Sequence, residues 1–303
     1  MKATGMVARG RWALAALLFW AAAGASAYDG PVEKKVFTLP TYATVGGKTI
    51  KNVRVGYETY GTLNAAGDNA IFIPHFFTGT SHAAGKYKPA DAAPGYWDPI
   101  IGAGKSIDTD KYFVISADAL ANLNTKDPNV TTTGPASVNP ETSKTYGMSF
   151  PVVSYRDSVR VHKALVDSLG VKKLKAVAGA SGGSIQAMEW GALYPDLVER
   201  VIHVKTGAAR AGTADANSMI YTAKANQLFN LGDEVKKMKA KILFVPAKSD
   251  LIFPPELSQR AAERYRAQGG VAEVVVIDGD GGHLDGVLNV AKQGEAIRTF
   301  LAR

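Results

Sequence analysis

The sequence predicts an α/β fold built on a mostly parallel sheet with helices on both faces. Three observations carry this. Ala70-Ile71-Phe72-Ile73-Pro74, Tyr112-Phe113-Val114-Ile115-Ser116, Leu174 to Ala178, Val201 to Val204 and Ile242-Leu243-Phe244-Val245-Pro246 are short apolar runs, as strands buried on both faces require. Segments of helical spacing alternate with them, and such alternation builds a parallel sheet between helix layers. One run, Val177-Ala178-Gly179-Ala180-Ser181-Gly182-Gly183-Ser184, breaks into Gly-x-Ser-x-Gly. That pattern marks a sharp strand-to-helix turn, in which flanking glycines let a serine take a strained backbone and lift its hydroxyl out of the sheet.

From the start of the chain, Lys2, Arg9 and Arg11 form a positive head, Ala13 to Gly24 is uncharged and apolar, and Ala25-Ser26-Ala27 supplies a small-x-small cleavage site. Residues 1–27 therefore read as an export signal, with the mature protein beginning near Tyr28 in the periplasm or outside the cell. An apolar core of about a dozen residues is short of the roughly 20 that span a bilayer. Residues 28–303 are expected to form one large α/β domain with a short cap at about 206–240. Cysteine is absent, which excludes disulfides, thiolate metal sites and a cysteine nucleophile. The formal charge of +8 includes the three leader cations, and the remaining excess is spread along the chain, so no nucleic-acid partner is expected. No run after the leader is long and apolar enough for a membrane helix, so no membrane partner is expected after cleavage.

Residues 34 to 60 predict two antiparallel strands turning at Gly46-Gly47. Residues 83 to 110, rich in Gly, Pro, Ala and Asp, predict a long loop. Within it Gly102-Ala103-Gly104-Lys105-Ser106 imitates the end of a phosphate-binding loop, but Pro99 stands where the first glycine is required. Ser154 to Leu169 has helical spacing with Gly170 at its C-cap. Further helices are expected over Ile185 to Tyr194, in one or two short pieces over 206–240, over Pro255 to Gln268 and over 286–302, with a last strand at Val274 to Ile277.

In such a sheet the parallel strands end on one edge. Ser181, Asp250 and His283 each follow a predicted parallel strand, in the chain order serine, acid, histidine of the α/β-hydrolase arrangement. His283 is expected to take the Ser181 proton as general base, with Asp250 fixing its tautomer. The Gly182 N–H and a donor from the loop opened by His75, named as Phe77, are expected at the oxyanion position. His75 and Thr78 on that loop are expected to bind substrate. His162, within a helix, and His203, within a strand, read as structural, whereas His75 and His82 flank the oxyanion loop. Asp278, Asp280 and Asp285 are alternatives to Asp250, and Ser184 is the lesser nucleophile candidate. No histidine pair or carboxylate cluster has zinc-ligand spacing, so neither metal nor cofactor is expected.

With these residues placed, the chain resembles the homoserine O-acetyltransferase family of α/β-hydrolase proteins. The matching stretches are Gly56-Tyr57-Glu58-Thr59-Tyr60-Gly61-Thr62-Leu63-Asn64, His75-Phe76-Phe77-Thr78-Gly79-Thr80-Ser81-His82, Gly95-Tyr96-Trp97-Asp98, residues 102–110, Gly134-Pro135-Ala136-Ser137-Val138-Asn139-Pro140, Gln186-Ala187-Met188-Glu189-Trp190 and Ser249-Asp250-Leu251-Ile252-Phe253-Pro254-Pro255. The resemblance implies Ser181, Asp250 and His283 as triad, with Phe77 and Gly182 at the oxyanion positions. It also implies a substrate-binding arginine on a lid, for which Arg210 and Lys224 are loose counterparts. The family's lid, a long helical insertion between the sixth and seventh core strands, forms its acyl-donor tunnel; here only residues 206–240 lie between those strands, which predicts a reduced lid. Gly182 and Ser184 stand where the family usually has Met and Gly. An exported chain is also separated from cytoplasmic acetyl-CoA. The expected activity is therefore serine carboxylesterase action on small acyl esters, with acyl transfer to an alcohol acceptor as the alternative and a non-catalytic binding protein as a third reading. A homodimer, whose neighbouring subunit replaces the missing lid, is compatible with this reading.

Overall fold

A computed structural model describes residues 31–204 and 214–303. The expected export signal and Arg210 lie outside the described residues. Strands β1 (Lys35–Ala43), β2 (Thr49–Tyr60), β3 (Ala70–Pro74), β4 (Ile101–Gly102), β5 (Ile107–Asp108), β6 (Phe113–Ala117), β7 (Leu174–Ala180), β8 (Arg200–Val204), β9 (Lys241–Val245) and β10 (Ala272–Val274) alternate with helices α1 (Tyr155–Ser168), α2 (Gly182–Leu193), α3 (Ala216–Gln227), α4 (Pro255–Ala267), α5 (Asp285–Leu288) and α6 (Gly294–Ala302). Eight strands form one sheet in the order β1-β2-β6-β3-β7-β8-β9-β10. From β6 to β10 every neighbouring pair is parallel, and β1 and β2 add an antiparallel edge.

Successive strand side chains enter opposite cores, so a strand covered on both faces must be apolar at every position. Ile71, Ile73, Ala176, Ala178, Leu243 and Val245 enter one core, closed by Trp97, Ile100, Ile297 and Phe300. Ala70, Phe72, Val177, Ile242 and Phe244 enter the other, closed by Leu165, Trp190 and Tyr265 of α1, α2 and α4. A third cluster at the antiparallel end joins Val53 and Val55 to Phe150, Val161 and Tyr221.

Helix α1 begins with a capping box between Ser154 and Asp157, as the sequence position of Ser154 suggests. The Asp157 carboxylate also accepts from the Tyr42 hydroxyl and the Val45 N–H, both at 2.7 Å, which ties the helix start to the hairpin edge. Gly170 follows the helix at φ +82°, a left-handed position that favours glycine.

Four expectations shift. Helix α2 starts at Gly182 because Ser181 is itself the N-cap. The last strand ends at Val274, and Ile277 rejoins the sheet through a single parallel bridge to Ala247. The closing helix is broken by a 3-10 turn at Val290–Gln293 into α5 and α6. The loop over 83–110 contains the small β4–β5 pair, whose Lys105 ammonium bonds the Asp98 carbonyl and lies 3.3 Å from the Asp98 carboxylate. That lysine is committed within the chain, in keeping with the missing phosphate-loop glycine.

Two predictions follow from this packing. His162 lies wholly buried against Phe72, its Nε2–H bonded to the Asp118 carbonyl at 3.0 Å, and burial pushes its pKa down to about 4. A histidine held neutral in the fold takes up its proton first in the unfolded chain. Stability should therefore be fully present above about pH 6.5 and fall by on the order of 3 kcal/mol as pH drops toward 4. His162→Gln should flatten that part of the pH profile in urea unfolding, and an unchanged slope would exclude His162 as its source. A side chain at Gly183 would place its Cβ 2.2 Å from the Pro74 carbonyl oxygen, a backbone atom that cannot yield without moving β3. Gly183→Ala is expected to cost at least about 3 kcal/mol in the same measurement, and wild-type stability would show that the approach is looser than this.

Candidate active site

Ser181 occupies the turn between β7 and α2 with φ 49° and ψ −118°, a conformation that strains a residue with a Cβ by about 1–3 kcal/mol. The surroundings over-determine it. The Ser181 N–H bonds the Val204 carbonyl at 2.9 Å, and the Ser181 carbonyl accepts from the N–H groups of Ser184 and Ile185 at 2.9 and 3.2 Å. The Ser184 hydroxyl donates to the same carbonyl at 2.6 Å, which commits it to holding the turn rather than acting as nucleophile. A Cβ at Gly179 would lie 2.3 Å from the Gly183 carbonyl carbon, so both glycines of the motif are steric requirements.

Asp250 and His283 are brought to the same edge by adjoining loops. The Lys248 N–H bonds the Ile277 carbonyl at 3.0 Å, and the Ser249 hydroxyl donates to the Gly279 carbonyl at 2.6 Å. Asp250, only 1% exposed, accepts on Oδ1 from the N–H groups of Ile252 and Phe253 at 2.8 and 2.9 Å, which aims its other oxygen. Oδ2 accepts from His283 Nδ1 at 2.8 Å. With the proton on Nδ1, Nε2 carries the lone pair and receives the Ser181 hydroxyl at 3.2 Å. The arrangement can pull a proton from Ser181 and stabilise the resulting imidazolium.

The loop expected to supply an oxyanion donor comes from the end of β3. A Cβ on Gly182 would lie 3.2 Å from the Phe77 nitrogen, so these two backbones are in contact beside Ser181. No acceptor among the described residues takes the Phe77 N–H or the Gly182 N–H. For Gly182 that follows from its place in the first turn of α2. Two free donors beside a serine hydroxyl are what a developing oxyanion needs, each worth roughly 3 kcal/mol.

The other candidates separate cleanly. His75 is buried, its Nε2 accepts from the Ala119 N–H at 3.0 Å, and its Nδ1–H donates to the Phe76 carbonyl at 2.7 Å. Burial pushes its pKa down, so the ring is neutral and both nitrogens are used. His75, expected to bind substrate, thus has both ring nitrogens engaged within the chain, where they hold the loop. The Thr78 hydroxyl is buried with no partner among the described residues and remains available. His82 stacks on Tyr87 at 4.2 Å and bonds Glu58 at 3.1 Å, and His203 lies in β8 against Phe244. Asp285 accepts from the Gly281 N–H at 3.0 Å and from the Asn289 amide at 2.5 Å; it shapes the histidine loop rather than replacing Asp250. Asp278 faces outward to Lys248 at 3.1 Å.

Sequence reasoning missed Asn122 and Asn124. Their amides bond the carbonyls of Gly79 and Thr78, at 3.0 Å each, and so fix the oxyanion loop from beneath. The signal was Asn-x-Asn shortly after the end of a buried strand at the catalytic edge. A charged network supports the same loop. Lys34 Nζ lies 3.3 Å from Glu58 and 3.2 Å from Asp118 and bonds the Ser81 hydroxyl, while Asp118 accepts from the Ser81 N–H at 2.9 Å. Burial pushes the Glu58 carboxyl up, but the His82 hydrogen bond and the Lys34 charge outweigh it and leave the group below the usual carboxylate range.

No protein-family model matches the chain. It is 32% identical to a homoserine O-acetyltransferase of Symbiobacterium thermophilum over 352 aligned residues, covering 84% of this chain and 90% of that protein. A homoserine O-acetyltransferase of Carboxydothermus hydrogenoformans is 44% identical over 179 residues, which span 59% of this chain and 46% of that one. Among solved structures, homoserine O-acetyltransferase from Bacillus anthracis superposes with a TM-score of 0.85 at 31% identity over 90% of this chain and 98% of that chain. Esterase E22 superposes with a TM-score of 0.84 at 39% identity over 89% of this chain and 100% of that chain. Because identity above 30% is sustained across 90% of a relative's length, the chain belongs to the homoserine O-acetyltransferase family, an enzyme family of α/β-hydrolase fold.

Proposed function

We propose that the protein is a serine carboxylesterase that hydrolyses small acyl esters through an acyl-enzyme on Ser181. The observation that carries this is the hydrogen-bonded line Asp250–His283–Ser181 beside two backbone donors with no acceptor among the described residues. Ser181 Oγ attacks the ester carbonyl carbon while His283 Nε2 takes its proton, and the carbonyl oxygen becomes an oxyanion held by the N–H groups of Phe77 and Gly182. Collapse expels the alcohol, which leaves with the proton from His283. A water then gives its proton to His283 and attacks the acyl carbon; the carboxylic acid departs and Ser181 regains its hydrogen.

Hydrolysis rather than transfer is supported by what stands between β8 and β9. Only residues 205–240 separate them, and the described part holds one 12-residue helix, α3, and a 3-10 turn. A site with so small a cap leaves the acyl-enzyme open to water, since excluding water is what lids do. The 352-residue alignment to the Symbiobacterium relative exceeds this chain's 303 residues, so the relative carries segments without counterpart here. The likeness to esterase E22 points the same way. If residues 1–27 export the chain, as their pattern reads, acetyl-CoA is not at hand as donor. Leu251 and Ile252, which follow Asp250, are 91% and 62% exposed and offer apolar surface for an ester beside the triad. The second reading, acyl transfer to an alcohol acceptor, is favoured by the homoserine O-acetyltransferase relatives.

On short-chain p-nitrophenyl esters, Ser181→Ala should lower kcat/KM by at least about 10⁴-fold; full activity in that variant would end the proposal. Asp250→Asn should lower kcat by about 10⁴-fold with little change in KM, because the histidine then takes the wrong tautomer. Adding homoserine or a simple alcohol during turnover should leave acid as the main product. Predominant ester formation would establish the transferase reading instead.

A further inference from the structure

The first residue of α1 carries a group that the mechanism above does not use. Tyr155 is 5% exposed, and its hydroxyl is buried with no hydrogen-bond partner among the described residues. Folding usually avoids leaving such a group unpaired, since it loses its water without replacement. The hydroxyl lies 2.7 Å from the point where a Cβ on Gly182 would stand, and the Phe77 nitrogen lies 3.2 Å from that same point. The three groups therefore surround one small space, and it exists because residue 182 has no side chain. Tyr155 and Phe77 also line one cleft together with Gln186. Burial pushes the Tyr155 pKa up, so the hydroxyl keeps its proton wherever a neutral His283 can act as base.

Resting on the acyl-enzyme reading, we propose that the Tyr155 hydroxyl is a third oxyanion donor, giving its hydrogen bond to the acyl oxygen beside the N–H groups of Phe77 and Gly182. The hydroxyl, which has no partner among the described residues, then finds its acceptor when the tetrahedral oxyanion forms. The assignment makes Tyr155 a catalytic residue, and it gives Gly182 a second purpose: a side chain there would displace the hydroxyl from the oxygen it serves.

The test is Tyr155→Phe, which removes one oxygen and no packing. Kinetics on p-nitrophenyl acetate are normalised to sites titrated with a phosphonate, beside inhibition by a trifluoromethyl ketone that forms an oxyanionic adduct on Ser181. The expected result is a fall of roughly 10- to 100-fold in kcat and kcat/KM together, an unchanged KM and Tm, and weaker ketone binding by the same factor. A kcat per titrated site within twofold of wild type would overturn the proposal, as would a raised KM with kcat unchanged, or a loss explained by a lowered Tm. If the wild type transfers acyl groups to alcohols instead of water, the same ratio is read on the acylation burst, which both reactions share, so that the proposed hydrolysis fails while the role of Tyr155 is still decided. If the wild type forms no acyl-enzyme at all, both fall.

Discussion

The structure depends on a backbone-to-backbone approach at the turn between β7 and α2. Gly183 sits where a Cβ would be 2.2 Å from the Pro74 carbonyl oxygen, and Gly179 where one would be 2.3 Å from Gly183 itself. This contact presses the start of α2 onto the end of β3. It holds Ser181 at φ 49° above the sheet and brings the Phe77 backbone against Gly182. Ser181 and the backbone N–H groups of Phe77 and Gly182 are thus brought together by one steric fit, before the side chains of Asp250 and His283 are considered. The apolar strands on either side supply the rigidity that such a fit needs, because a close-packed interior has two faces and little room to relax.

Polar groups then hold what the fit has placed. Asp250 is aimed by two backbone N–H groups, His75 is kept neutral by burial and pinned by its hydrogen bonds, and Asn122 and Asn124 fasten the carbonyls of the loop after β3. The Lys34, Glu58 and Asp118 cluster anchors the next part of that loop to the antiparallel edge. Buried charges are costly unless paired, so a network of this kind gains geometric definition more than stability. Donors already in position need no reorganisation when charge develops on a substrate oxygen.

Much of this was legible in the sequence because it rests on local pattern. Apolar runs revealed β3, β6, β7, β8 and β9, since strands buried on both faces have no alternative composition. That Ser181, Asp250 and His283 meet in one hydrogen-bonded line was legible because each follows such a run. Phe77 and Gly182 came from position relative to the turn, and their backbones do meet. What the sequence concealed depends on contacts between distant segments. Nothing near His75 in the chain indicates that Ala119 and Phe76 occupy its two ring nitrogens. Tyr155 falls in a segment read only as a helix, and nothing near it in sequence indicates that its hydroxyl reaches Gly182. The break of the closing helix at Val290–Gln293 and the end of the last strand at Val274 had no mark in the local pattern of the sequence.

The central claim is that Ser181 carries the acyl group and releases it to water. Its most direct test is rapid-quench mass spectrometry of the wild-type protein during turnover of an acetyl ester. The mechanism predicts a single acetyl group on the peptide containing Ser181, formed within one turnover and decaying in buffer alone at a rate no slower than kcat. An acetyl group on another residue, no acetylated enzyme at all, or an acetyl-Ser181 that persists until an alcohol acceptor is supplied would contradict it.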